Sequence, residues 1–277
     1  MGVGNILNDV NERILSMETP SKPVDDQISA VPGNWKFDEQ VCESFDSHVR
    51  KSVPFYDEIQ RLVVELSEFF VHDGSRIYDV GSSTGETLSL LARKHANKSD
   101  TQFVGMDVSL PMVAAARKKC AELPNVNILH QDATLFSRFE RADYVLSLYV
   151  LQFLDRDDRF GLVNKVHDDL RVGGALIYVD KLYAEHSILE HMWNDLHWDF
   201  KKDQGLSDEM ILEKARSLRG VLKPMTLREN VTMLRNAGFT TVDVFFKWMN
   251  WAGFLAIKTE PTATVSPAAG ETGREEQ

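Results

Sequence analysis

The sequence has little cysteine, and its two thiols, Cys42 and Cys120, stand far apart with no Cys-x-x-Cys pair. That spacing excludes the usual zinc and redox motifs, so no metal site is expected, and it suits reduced thiols in the cytoplasm. Positive charge is also short. The 31 Lys and Arg against 42 Asp and Glu leave a net charge of −11. Affinity for nucleic acid rests on basic side chains that neutralise phosphates, so direct nucleic-acid binding is not expected. No apolar run has the length needed to span a bilayer. The polar residues 1–30 lack the apolar stretch of a secretory signal. These absences predict a soluble cytoplasmic protein.

What is present is ordinary globular composition. Over 277 residues, 43% are hydrophobic and 26% charged, enough for one large α/β domain with terminal extensions. Residues 1–32 read as a flexible arm, with a short helix over 6–14 and a Pro-rich stretch over 19–23. Residues 260–277, rich in Pro, Thr, Ala, Gly and Glu, read as a disordered tail. Residues 33–259 form the domain.

Within that domain strands and helices alternate. Apolar spacing predicts helices over 56–70, 84–95, 110–120 and 157–170. Short buried strands are predicted over 76–80, 102–106, 126–129, 144–147 and 175–179. Such alternation implies a parallel sheet with helices on both faces. Two apolar strands, 242–248 and 251–257, then read as an antiparallel hairpin closing one edge. The helical span over about 184–238 is too long for a simple crossover and reads as a cap over a site. The expected fold class is α/β: a Rossmann-like, seven-stranded, mostly parallel sheet with an antiparallel C-terminal hairpin, plus a helical cap.

Ligands of an open parallel sheet bind at the carboxyl ends of its strands, and four strand ends here carry suitable residues. The first runs into Asp79-Val80-Gly81-Ser82-Ser83-Thr84-Gly85. Its Gly81 and Gly85 let the backbone turn and approach a ligand, and the next helix start can hold a carboxylate. Asp107, followed by Val108, ends the second strand, where an acid accepts ribose hydroxyls. Asp132-Ala133 follows the third, where an acid accepts an adenine amine, and Ser147 closes the fourth. Asp79 is placed either to cap the next helix or to face a cation. Taken together the four ends predict S-adenosyl-L-methionine (SAM) as cofactor.

The chain also resembles the carboxy-S-adenosylmethionine synthases, within the class I SAM-dependent methyltransferase superfamily. The resemblance runs from about residue 35 to 258. It rests on Trp35-Lys36-Phe37-Asp38-Glu39, Arg50-Lys51-Ser52-Val53-Pro54-Phe55-Tyr56, Leu151-Gln152-Phe153-Leu154, Gly173-Gly174-Ala175-Leu176, His197-Trp198-Asp199-Phe200-Lys201 and Ala237-Gly238-Phe239. The resemblance implies transfer of a carboxyl group from prephenate to the methyl of SAM, giving a donor used to modify a tRNA wobble uridine. It implies cofactor contacts at Tyr56, Gly81, Ser82, Ser83, Asp107, Val108, Asp132 and Ala133, and a homodimer. Two positions depart from the family. Ser147 stands where it has Asn, and Ala215 where it has an Arg that holds the added carboxylate.

Three functions follow as expectations. The first is methyl transfer to a small-molecule acceptor. The second is carboxy-SAM synthesis, with SAM or its carboxylated form bound. The third is a non-catalytic SAM-binding partner subunit. The catalytic candidates are Tyr56, whose ring can close over a sulfonium, His197 as a base or a satisfied buried group, and Arg216. The last, with Arg219 at i+3, reads either as an anion holder or as a solvated helix face. His191, Trp193, Trp198, Tyr149, Trp248 and Trp251 are further candidates for the acceptor pocket.

Overall fold

The computed structural model describes residues 21–260, so the expected helix over 6–14 and nearly all of the tail lie outside the described residues. Seven strands follow one another across the main sheet in the order β5-β4-β3-β6-β7-β10-β9. These are β3 (Arg76–Val80), β4 (Gln102–Asp107), β5 (Val126–His130), β6 (Ala142–Leu148), β7 (Leu170–Tyr183), β9 (Thr241–Trp248) and β10 (Trp251–Ile257). The pairs from β5 through β7 are parallel, while β10 runs antiparallel to both β7 and β9. This is the expected α/β sheet with its closing hairpin. A two-residue strand, β8 (Met225–Thr226), adds to the end of β7, and β1 (Lys22–Pro23) pairs with β2 (Ser29–Ala30) in a separate clip.

Helices cover both faces because the strands are apolar on both. Along β7, Ala175, Ile177 and Val179 enter one core, packed by α2 (Tyr56–Leu66), α3 (Glu86–Lys94) and α4 (Leu110–Lys119) through Ile59, Val63, Leu88, Leu91 and Val113. Leu176, Tyr178 and Leu182 enter the other, packed by α5 (Arg156–Asp169) and α8 (Leu227–Asn236) through Val163, Val166, Met233 and Leu234. That alternation is the period-two pleat of a strand buried on both sides. In β6 every residue is buried. Side-chain caps set several helix starts: Ser109 accepts from Met112 N at α4, and Thr226 with Glu229 forms a capping box at α8.

A third, smaller core lies over the carboxyl ends of the strands. There α1 (Glu39–Ser52) and α7 (Asp208–Ser217) meet the clip, and Val24, Ile28, Trp35, Val41 and Met112 pack with Phe37, Phe153 and Leu218. The sequence pattern gave no helix at α1. The clip is fastened by backbone bonds from Gly33 N to Arg216 O at 2.9 Å and from Trp35 N to Ser217 O at 3.1 Å. Within residues 184–238, α6 (Ser187–Asp203) and α7 stand beside the strand ends, while α8 packs on the sheet as a crossover helix.

Candidate functional site

The carboxyl ends of β3, β4, β5 and β6 open into one cavity of about 290 Å³. It lies where β3 is flanked by β4 on one side and β6 on the other, which is where chain direction across the sheet reverses. Tyr56, Asp79, Gly81, Ser82, Ser83, Asp107, Val108, Asp132, Ala133 and His197 all line it. Gly85, Ser147 and Arg216 do not.

The loop after β3 is shaped by close packing. Gly81 has φ +70°, and a Cβ there would lie 2.3 Å from Val150 Cγ2, so a side chain is excluded twice over. Ser83 holds a left-handed φ of 49° without being glycine. Its amide donates to Asp107 Oδ2 at 2.9 Å, while Ser109 N donates to Oδ1 at 2.8 Å. Asp107 is thereby fixed with lone pairs left for hydroxyl donors. Burial raises its carboxyl pKa against those backbone bonds. Asp132 is held by Thr134 through N and Oγ1, both on Oδ1. Val108 is 63% exposed at the cavity rim.

Asp79 sits at the cavity floor, buried, and no side-chain hydrogen bond reaches its carboxylate among the described residues. Burial, helped by nearby Asp107, pushes its pKa up to about 7. It does not cap α3: the residue before that helix is Gly85, with no side-chain cap. A cation such as an ammonium or sulfonium would satisfy it. Facing it, Tyr56 and Tyr149 stack with centroids 5.7 Å apart and planes at 26°. Burial raises both phenols. Their rings stay neutral and both border the cavity, where aromatic surface favours a cation, although the Arg50 guanidinium already lies over the Tyr56 ring, 5.8 Å from its centroid. The cradle, the two carboxylates and the aromatic pair thus fit the cofactor that the strand ends predict.

The remaining candidates resolve by geometry. A Cβ on Gly85, at φ +77°, would lie 3.0 Å from Ala116 Cβ, so the glycine serves the close packing of α3 on α4. Ser147 is buried within β6, its Oγ without a partner, behind a wall made by Leu148 and Tyr149. Arg216 is turned off the cavity and donates to Glu213 Oε1 at 2.6 Å, because one residue along a helix rotates the side chain by about 100°. Nε2 of His197 lies 3.0 Å from the Ser52 carbonyl and must donate to it. Burial and nearby lysines drive this imidazole's pKa down to about 2, so at neutral pH it is uncharged and keeps its single proton on Nε2. Of the other expected aromatics, Tyr149 and Trp251 reach the cavity, while Trp193, Trp198 and Trp248 do not.

The feature that sequence reasoning missed is a wall of three lysines. Lys181 from β7, Lys201 from α6 and Lys214 from α7 line the same cavity, and none has an acidic partner within ion-pair reach among the described residues. Burial lowers the pKa of each, that of Lys201 to about 7. Lys214 lies against the indole face of Trp35. The signal available in sequence was the spacing of His197 and Lys201, one turn apart; they are the two buried residues of α6.

Comparison with known proteins agrees with this geometry. The profile of a methyltransferase domain family matches residues 77–174. A carboxy-S-adenosyl-L-methionine synthase of Staphylococcus epidermidis is 39% identical over 228 residues, covering 82% of this chain and 98% of the relative. The synthase of the same name from Methylococcus capsulatus is 38% identical over 225 residues, covering 80% and 93%. Among solved structures, an O-methyltransferase family protein from Burkholderia thailandensis aligns with TM-score 0.58 at 18% identity, over 80% of this chain and 61% of that one. A SAM-dependent methyltransferase from Aquifex aeolicus aligns with TM-score 0.53 at 18% identity, over 80% and 99%. The two structural likenesses show the fold. The chain is a SAM-dependent transferase of the class I methyltransferase fold, and it belongs to the carboxy-S-adenosyl-L-methionine synthase family.

Proposed function

We propose that the enzyme brings SAM together with a small carboxylic acid, whose carboxylates face Lys181, Lys201 and Lys214. The observation that carries this is the lysine wall itself, which shares the cavity of the strand ends. Uncompensated buried ammonium groups are costly, and a ligand's anions supply the missing counter-charge. SAM supplies an electrophilic methyl carbon on a cationic sulfur. Tyr56 and Tyr149 hold that sulfur, Asp79 balances charge on the methionine side, and Asp107 and Asp132 take the ribose and adenine. A carboxylate acceptor is already a nucleophile, which fits a cavity whose histidines His48 and His197 are both shifted to low pKa. Alignment of acceptor and methyl is then the main demand on the protein.

The name of the relatives favours a second reading, in which the acid's carboxyl group ends on the SAM methyl carbon in exchange for a proton. Mass spectrometry of a reaction with SAM and prephenate separates the two. Methyl transfer gives S-adenosylhomocysteine and a methylated acid. The second reading gives a carboxylated cofactor and an acid lighter by carbon dioxide and water, because the prephenate ring aromatises as its hydroxyl leaves with the proton from the SAM methyl. The proposal is overturned if no acid turns over and Lys201→Met leaves acid binding unchanged.

We also propose a homodimer working in the cytoplasm, where the free thiols Cys42 and Cys120 stay reduced. Ile188, Met192 and Leu196, 68%, 46% and 41% exposed, form an i, i+4, i+8 apolar stripe on α6. Such a stripe on a surface helix marks an interface. Met192→Glu is expected to give a monomer in sedimentation velocity. A wild-type monomer would refute the dimer.

A further inference from the structure

Charge pairing with an acid uses all three lysines alike, yet their surroundings differ. Lys214 rests on the Trp35 indole face and feels the carboxylate of Asp25, which itself binds His48 and Lys51. Lys181 feels Glu190 on α6, whose carboxylate is engaged by Ala184 N and Asn194 Nδ2. Lys201 has neither an aromatic face nor an acid beside it. It is buried, without a hydrogen-bond or ion-pair partner among the described residues, and it lines the cavity beside the like charge of Lys181. His197, one turn earlier, is neutral and tied to Ser52 O.

A buried amine without a counter-ion relieves its cost by shedding a proton, and desolvation next to another cation is how lysines become nucleophiles. We propose that Lys201 Nζ is such a nucleophile, forming a Schiff base with the carbonyl carbon of a 2-oxo acid whose carboxylate pairs with Lys181 or Lys214. This rests on the acid-binding role proposed above. In the step, the Nζ lone pair bonds to the carbonyl carbon and the C=O π pair moves to oxygen, which takes a proton. The carbinolamine then expels that oxygen as water and leaves a protonated imine. One water is released, and no oxidant or reductant is required. The lowered pKa of Lys201, about 7, keeps a large share of the amine neutral at physiological pH. Lys214 is also lowered, well below the ordinary amine value, but Trp35 covers its approach.

The test is trapping with pyruvate and sodium cyanoborohydride on the full chain, read by intact mass and peptide mapping. The expected result is one adduct, on Lys201, with labelling at least about tenfold above any exposed lysine at pH 7, because the neutral fraction changes about tenfold per pH unit. Labelling should rise with pH through about 7 and disappear in Lys201→Arg, with SAM binding serving as the check that this variant is folded. Adducts spread over exposed lysines, or unchanged in Lys201→Arg, would overturn the assignment. If Lys201→Arg fails to bind SAM, the wild-type peptide map decides alone. Calorimetry without reductant separates the two proposals. Pyruvate that binds but leaves no adduct removes the Schiff base and keeps the anion site, whereas neither binding nor adduct removes both.

Discussion

Single residues carry the proposed cofactor side, and their substitution should be read in binding before stability. In Gly81→Ala the new Cβ meets Val150 at a φ that side chains resist, so destabilisation of about 1–3 kcal/mol and loss of SAM binding are expected by calorimetry. In Asp107→Asn the Ser83 and Ser109 amides lose part of their charged acceptor. SAM affinity should fall by about tenfold or more, since bonds to charged groups contribute about 1.5–3 kcal/mol. Affinity within twofold of wild type would remove Asp107 from the ribose site. These residues were legible because each ends a buried strand, and position in the fold tells what such an end faces. The lysines were not. Lys181 lies near the end of a strand, while Lys201 and Lys214 lie on helices, and each alone reads as a solvated cation; only tertiary packing brings them to one wall.

At the scale of elements, apolar rhythm predicted the sheet almost strand for strand, because β3, β4, β6 and β7 carry buried apolar residues on both faces. It gave nothing for α1, whose inward positions include Ser44, His48 and Ser52. A helix whose buried side is partly polar shows no apolar period, and its partners, Asp25 and the clip, lie elsewhere in the chain. The strand β7 runs to Tyr183 rather than stopping near 179, since β10 pairs with it from Ala175 to Lys181. The capping box at α8 gives a clean stability test. Thr226→Ala removes the acceptor for Glu229 N, at about 1 kcal/mol. A melting temperature lower by about 2–4 °C is expected by calorimetry. No change would mean that α8 is held by its packing on the sheet alone.

Across the whole molecule the cavity joins two walls of opposite electrical character, and their ligands should respond to pH in opposite directions. Asp79 is raised to about 7. A cationic ligand prefers its ionised form, so SAM affinity should climb as pH rises through that value and level off above it. Lys201 is lowered to about 7. An anionic ligand held by charge alone prefers the protonated form, so the affinity of an acid with no carbonyl carbon for Lys201 to attack should fall over the same window. Calorimetric titrations from pH 6 to 8.5 would check both trends. Parallel profiles for the two ligands would contradict the division of the cavity.

The clip over the strand ends also bears on the order in which the site is made. Lys22 reaches Glu213 across 191 positions of the chain, and Gly33 and Trp35 wait for the backbone of Arg216 and Ser217. On a ribosome the cofactor strands, finished by Leu148, emerge well before α6 and α7 bring their lysines. A nascent chain can therefore assemble its nucleoside cradle first, with the acid wall and its cover closing only near the end of translation. Truncation after α5 would leave the first half of the site without the second.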